Sequence, residues 1–332
     1  MKLFLALLLS LALLAGCSES LEPVSEAIAA DLPVAADAPE STATPEPIAT
    51  PEPTAALSAP AAAQTAAPVD IKPTIEPVEA SDTPQPSEQD DAEEALPVMA
   101  DVSGLSNEKI GWYFMKNNEH KPPRGAEEID IAPYGGYFLG DTSEKNIYLT
   151  FDEGYENGYT GRILDILKDN GVKAAFFATQ TYIRDNKELC KRIVDEGHIL
   201  ANHSVSHPSF PSLSDEDVWN EILETARYSK ETTGQAMPKL FRPPSGEYSE
   251  RTLALSYQLG YKTIFWSYAY KDWDVNDQIG KDAALKGIMD NLHNGEIILL
   301  HAVSSSNAEA LPDFLQSAKD QGYQFRSLHE LP

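Results

Sequence analysis

The chain has 332 residues, with 52 Asp and Glu against 25 Lys and Arg and a formal net charge of −27. Acidity of that degree excludes nucleic acid as a partner, because a phosphate backbone is gripped by clustered lysines and arginines. The length admits two domains or one domain with a tail, and composition decides for the tail. From Ser18 to Asp101 there are 18 acidic residues, one lysine and no arginine; from Val102 onward 34 acids face 23 Lys and Arg.

Lys2 precedes an apolar run from Leu3 to Leu14. That is about a dozen residues, too few to span a bilayer, which takes about 20, and the right length for the core of a signal peptide. Leu14-Ala15-Gly16-Cys17 resembles the bacterial lipoprotein processing box. The resemblance implies cleavage before Cys17, lipidation of its thiol and stable anchoring to a membrane by two or more acyl chains. Residues 18–101 are rich in Pro, Ala, Glu and Thr and lack apolar periodicity. They read as a disordered linker, extended enough to reach on the order of 250 Å from the membrane. With Cys17 lipidated, Cys190 has no disulfide partner, and its place on the apolar side of a helix makes it a buried thiol.

A folded domain is expected over residues 102–332, with a core of about 147–328. Its elements alternate regularly. Strands are expected at Ile147–Phe151, Lys173–Thr179, Ile199–Asn202, Lys239–Phe241, Tyr261–Trp266, Glu296–Leu300 and Tyr323–Ser327. Helices are expected at Tyr159–Asn170, Asp185–Glu196, Ser214–Thr232, Ser249–Leu259, Lys281–Leu292 and Asn307–Gln321, several of them stopped by a glycine. Seven strands alternating with helices imply a parallel α/β sheet, either an incomplete barrel or an open doubly wound sheet.

Polar residues gather where the strands end: Asp152-Glu153, His203 and His207, Arg242, Asp272-Trp273 and His301. The carboxyl ends of parallel strands share one face, where sites form. His203 and His207, four residues apart, can share one metal ion, with Asp152 or Glu153 as a carboxylate ligand. Alone, such a pair is more often packing or surface. Zinc there would acidify water and polarise a carbonyl. An unligated carboxylate could then take the water's proton, and a histidine opposite could protonate a leaving nitrogen.

Leu149-Thr150-Phe151-Asp152-Glu153-Gly154, His203/His207, Phe241-Arg242-Pro243-Pro244-Ser245-Gly246, Asp272-Trp273 and Leu299-Leu300-His301 stand in that order. Together they resemble the polysaccharide deacetylase family, also called carbohydrate esterase family four or NodB-like. Residues 153–159 resemble the branch of sporulation-type peptidoglycan N-acetylmuramic acid deacetylases, which prepare muramic δ-lactam. The resemblance implies an incomplete (β/α)7 barrel and de-N-acetylation of cell-wall sugars by a divalent metal, zinc before cobalt or manganese. It also implies roles. Asp152 is the general base, Arg242 its holder, and Glu153, His203 and His207 the metal ligands. His301 is the general acid, oriented by Asp272. The Ser245 N–H binds the oxyanion, and Trp273 and Leu299 line the acetyl pocket. Glu153 departs from the aspartate most members carry, and Ser245 from a common tyrosine. The expected partner is the peptidoglycan glycan strand, met by a monomer held at the cell envelope. N-acetylglucosamine or chitin-like oligomers are the second substrate class, and a wall-binding lipoprotein without turnover is the competing reading.

Overall fold

The computed structural model describes residues 97–331, apart from 118. The signal peptide with Cys17, and nearly all of the expected linker, lie outside the described residues. Four short strands come first: Ile110–Gly111 (β1), Phe114–Met115 (β2), Arg124–Gly125 (β3) and Gly136–Tyr137 (β4). They precede the long central strand Asn146–Glu153 (β5), all eight residues of which are buried. Then follow Thr160–Asp169 (α1), Ala175–Ala178 (β6), Gln180–Asp185 (α2), Lys187–Asp195 (α3) and Ile199–Asn202 (β7). The second half runs Asp215–Thr233 (α4), Leu240–Phe241 (β8), Glu247–Tyr248 (β9), Glu250–Gln258 (α5) and Lys262–Ile264 (β10). Lys281–Asn291 (α6), Glu296–His301 (β11), Ser305–Asp320 (α7) and Gln324–Phe325 (β12) complete it.

The main sheet follows the order β11-β5-β6-β7-β8-β10-β4, with β12 beside β5, and all these pairings are parallel. Its two ends approach each other: just past β4, Gly140 N–H donates to Gly295 O at 2.8 Å and Leu139 bridges to Glu296 of β11. The sheet is thus curled into an incomplete barrel, which decides between the two architectures open from sequence. Two details differ from expectation. Gly136–Tyr137 joins the sheet beside β10, and a short helix, Gln180–Asp185, stands between β6 and α3.

Alternation along β5 sorts its side chains into two layers. Ile147, Leu149 and Phe151 join Ile163, Leu164, Tyr182, Cys190 and Phe314 in the core beneath the helices. Tyr148 joins Phe177, Ala201, Ile264 and Ile297 inside the curl. The ends of α4 show why its boundaries were legible. Ser214 accepts from Asp217 N–H, three acids occupy the first turn, and Gly234 takes the left-handed conformation at the exit (φ 77°).

The segment before β5 belongs to the same fold. Trp112 stacks on Phe265 with ring centres 4.4 Å apart and donates its indole N–H to Trp266 O at 2.9 Å. β1 pairs antiparallel with β9, and Val102 is buried against the cluster that holds Trp219 and Leu255.

Candidate active site

Parallel register places the first two functional side chains. Asp152 on β5 and His301 on β11 are direct partners across adjacent strands, so both project to the inner face of the curl. Arg242 follows β8, which pairs with β7, and Arg242 N–H donates to Asn202 O at 3.0 Å. His203 follows β7 immediately, its N–H donating to Ala178 O at 3.1 Å.

Arg242 is fully buried and completely engaged. Its Nη1 donates to Asp152 Oδ1 at 2.6 Å, its Nη2 to Thr150 Oγ1 at 3.0 Å and its Nε to Ile264 O at 3.0 Å. The guanidinium also lies over the Phe177 ring, 4.1 Å from its centre. Burial alone would raise the Asp152 pKa, but the charge of Arg242, with His203 and His301 behind it, outweighs burial and holds the carboxyl below its ordinary 3.8.

The loop from His203 to His207 is tightly tied. Glu221 on α4 accepts from Val205 N–H at 2.8 Å, Ser206 N–H at 2.9 Å and the Ser206 hydroxyl at 2.8 Å. Ser204 and His207 both adopt left-handed backbone (φ 72° and 59°), a conformation uncommon outside glycine that is held here by the surrounding bonds. The rings of His203 and His207 stand 4.8 Å apart, nearly perpendicular. His203 Nδ1 lies 2.9 Å from Arg242 O; a carbonyl only accepts, so Nδ1 carries the hydrogen and Nε2 keeps a lone pair. That Nε2 is 3.5 Å from Asp152 Oδ2. Burial lowers the pKa of His203, and burial together with His203 lowers that of His207 to about 3, so both are neutral imidazoles.

The opposite wall carries His301. Its Nδ1 is 2.7 Å from Asp272 Oδ1, and its backbone N–H donates to Asp272 Oδ2 at 2.8 Å. Burial would lower its pKa, but the Asp272 carboxylate more than compensates and holds it above 6.5. Trp273 sits edge-on to the His301 ring at 5.8 Å. Leu299, two residues before His301 on the same face of β11, packs in the cluster of Trp266, Phe265 and Ala269. Ser245 occupies a short turn after Arg242 with left-handed backbone (φ 55°) and an exposed side chain.

One expected ligand is elsewhere. Glu153 shares strand parity with Leu149 and Phe151, and its carboxyl lies beneath the helices, 3.5 Å from the Thr160 hydroxyl. Burial, Glu156 and Asp152 together push its pKa well above the ordinary range. Among the described residues, no three His, Cys, Asp or Glu side chains are grouped so that one ion could take all of them. The structure thus does not group Glu153 with the two histidines: alternation turns it away from them. The imidazole pair itself has the chemistry a divalent ion needs, two neutral nitrogens with Asp152 alongside.

Sequence reading missed the supports: Thr150, Glu221, Gln278 and Asn307. Their contacts reach across as many as 92 residues of chain, and no local pattern signals them.

Residues 139–264 match the family model described as polysaccharide deacetylase. The chain is 48% identical over 231 residues to an uncharacterized 30.6 kDa protein of Geobacillus stearothermophilus, covering 69% of this chain and 87% of that protein. It is 42% identical over 234 residues to the peptidoglycan-N-acetylmuramic acid deacetylase PdaA of Bacillus subtilis, covering 70% of this chain and 89% of that protein. The solved structure of Bacillus subtilis PdaA, described as a family 4 carbohydrate esterase, superposes with a TM-score of 0.67 over 68% of this chain and 98% of that one.

Proposed function

Because the chain belongs to the polysaccharide deacetylase family, we propose that it hydrolyses the N-acetyl group of peptidoglycan N-acetylmuramic acid, releasing acetate and leaving a free amine. The observation that carries this reading is the opposed pair Asp152 and His301. Arg242 ion-pairs with the carboxyl and lowers its pKa, and Asp272 bonds the imidazole and raises its pKa, on adjacent strands in register. Two titratable groups whose environments push their pKa values apart are the arrangement a base and an acid require.

In the proposed reaction Asp152 takes a proton from the attacking water, whose oxygen forms a bond to the acetyl carbon. His301 gives its proton to the sugar nitrogen as the carbon–nitrogen bond breaks. The Ser245 N–H faces the developing oxyanion, while Trp273 and Leu299 form the wall against the acetyl methyl. His203 and His207 would hold a divalent cation, zinc first, with cobalt or manganese accepted by the same donors. When bound, such an ion polarises a carbonyl and acidifies water. Substrate class follows relatives that act on peptidoglycan, and an anchor at Cys17 with a long tether would place the enzyme at the outer face of the membrane. The finer assignment to δ-lactam formation in spore cortex rests on the resemblance of residues 153–159 to the sporulation-type branch.

The test is incubation of purified protein with defined peptidoglycan fragments, with and without added zinc, followed by mass spectrometry. Metal-dependent loss of acetyl from muramic acid is the expected result. Loss from glucosamine would reassign the substrate. No loss from wall or chitin fragments, with the protein folded, would favour the wall-binding reading.

A further inference from the structure

The Asp272 carboxylate is not left to orient His301 by itself. Asn307, in the first turn of α7 and 2% exposed, donates from Nδ2 to Asp272 Oδ2 at 2.6 Å and to His301 O at 3.2 Å. Its Oδ1 accepts the hydroxyl of Tyr270 at 2.5 Å. The partners on the other side settle the amide's orientation: the Asp272 carboxylate and the His301 carbonyl only accept, so the NH2 end faces them and Oδ1 faces the Tyr270 hydroxyl. Asp272 Oδ2 therefore takes two donors, Asn307 Nδ2 and the His301 backbone N–H, while Oδ1 is left for His301 Nδ1. The helix start does not explain the side chain: Ser304 already caps α7 by accepting from Asn307 N–H.

We propose that Asn307, itself fixed by Tyr270, is a positioning residue for the acid half of the site. It pins the Asp272 carboxylate in the orientation that aims His301 at the leaving nitrogen. The inference rests on the reading of His301 as the general acid. Asn307 touches no reacting atom; it acts through Asp272.

The test uses the full chain. Asn307→Asp keeps the shape but puts an acceptor where the donor stood, against a second carboxylate. It should lower kcat roughly 10- to 100-fold, the size expected for losing a buried hydrogen bond to a charged group, with little change in KM. Tyr270→Phe removes the donor that holds Asn307 Oδ1 and should lower kcat roughly 3- to 10-fold, a loss typical of one neutral hydrogen bond. In protein with 15N-labelled histidine, both variants should weaken or shift the low-field Nδ1–H signal of His301, which a merely structural substitution leaves in place. His301→Ala is the control. If it keeps full turnover, the acid assignment itself fails, and the proposal falls with it. If it is inactive while Asn307→Asp and Tyr270→Phe keep wild-type kcat and an unchanged imidazole signal, the acid assignment stands and the positioning role is overturned. Should Asn307→Asp not fold, Tyr270→Phe decides by the same two readouts.

Discussion

The two walls of the site are built on different principles. The wall that carries the base is made at the ends of β5, β7 and β8, and its central cation, Arg242, has no exposure at all and donates from each of its three guanidinium nitrogens within the protein. The wall that carries the acid joins the end of β11 to a loop after β10, and amides and hydroxyls tie that loop to the start of α7. Gln278 accepts from Ser304 and Ser306 and donates to the backbone oxygens of Asp272 and Asp274, and Val275 and Ile279 stand exposed in the same loop. A buried charge pair is costly to break, because each partner leaves the other stranded in a low dielectric. A network of amides and hydroxyls around a surface-lapped loop costs less to break. The base wall should thus be inseparable from the fold, and the acid wall separable from it.

The largest expected effect tests the first half of that contrast. Arg242→Met leaves Asp152 buried without its counter-charge, which should remove activity and destabilise the protein by about 3–5 kcal/mol. Urea unfolding followed by circular dichroism measures it. A stable variant with only its turnover lost would mean that the base wall is no more integral than the acid wall.

Asp272→Asn tests the second half. Turnover should fall roughly 10²- to 10⁴-fold, the range of general acid catalysis, with a smaller loss of stability at neutral pH than in Arg242→Met, because His301 can shed its proton once the Asp272 charge is gone. The pH dependence sharpens the comparison. The proposed mechanism needs Asp152 ionised and His301 protonated; Asp152 lies below 3.8 and His301 above 6.5, so the profile should be flat between them and fall at both ends. Without the Asp272 charge, burial dominates His301 and its pKa drops, so the alkaline limb of kcat/KM should move to lower pH. The stability linked to His301 has the same sign. Its folded pKa exceeds the unfolded value, so the contribution is complete below 6.5 and fades as pH rises through the folded pKa. An alkaline limb that stays in place in Asp272→Asn would separate it from His301.

The same contrast explains what could be read from the sequence. Strands such as Glu296–His301 announce themselves as short apolar runs after a glycine, and α4 is bounded by a Ser cap and a Gly exit. Gly136–Tyr137 could not be seen, since two residues carry no alternation, and the six residues of Gln180–Asp185 carry too little helical period. Motif residues at strand ends were legible because parallel topology sends those ends to one face. The supports were not: Asn307 meets Asp272 across 35 residues, and Glu221 reaches the histidine loop from the middle of a helix. Left-handed backbone at His207 and Ser245 has no compositional signature either, since neither residue is glycine.

Glu153 is the case in which two signals in the sequence disagreed, and it yields the smallest expected effect. Order within the motif assigns it to the metal, whereas period-two alternation with Ile147, Leu149 and Phe151 assigns it to the layer beneath the helices. The structure follows the alternation. A carboxyl buried there, with Oε2 unpartnered, has its pKa pushed up by burial, which favours the protonated form. Glu153→Gln mimics that form with a neutral, nearly isosteric group. It should therefore leave zinc content and turnover within about twofold of the parent, whereas His203→Ala should lose the metal, since removal of a ligand empties a site that has few. Zinc measured by inductively coupled plasma mass spectrometry on the two variants separates the signals. Equal metal loss in both would restore Glu153 to the ligand set and would mean that the end of β5 turns when the ion binds, so that the base wall, rigid in its charges, is mobile at its last residue.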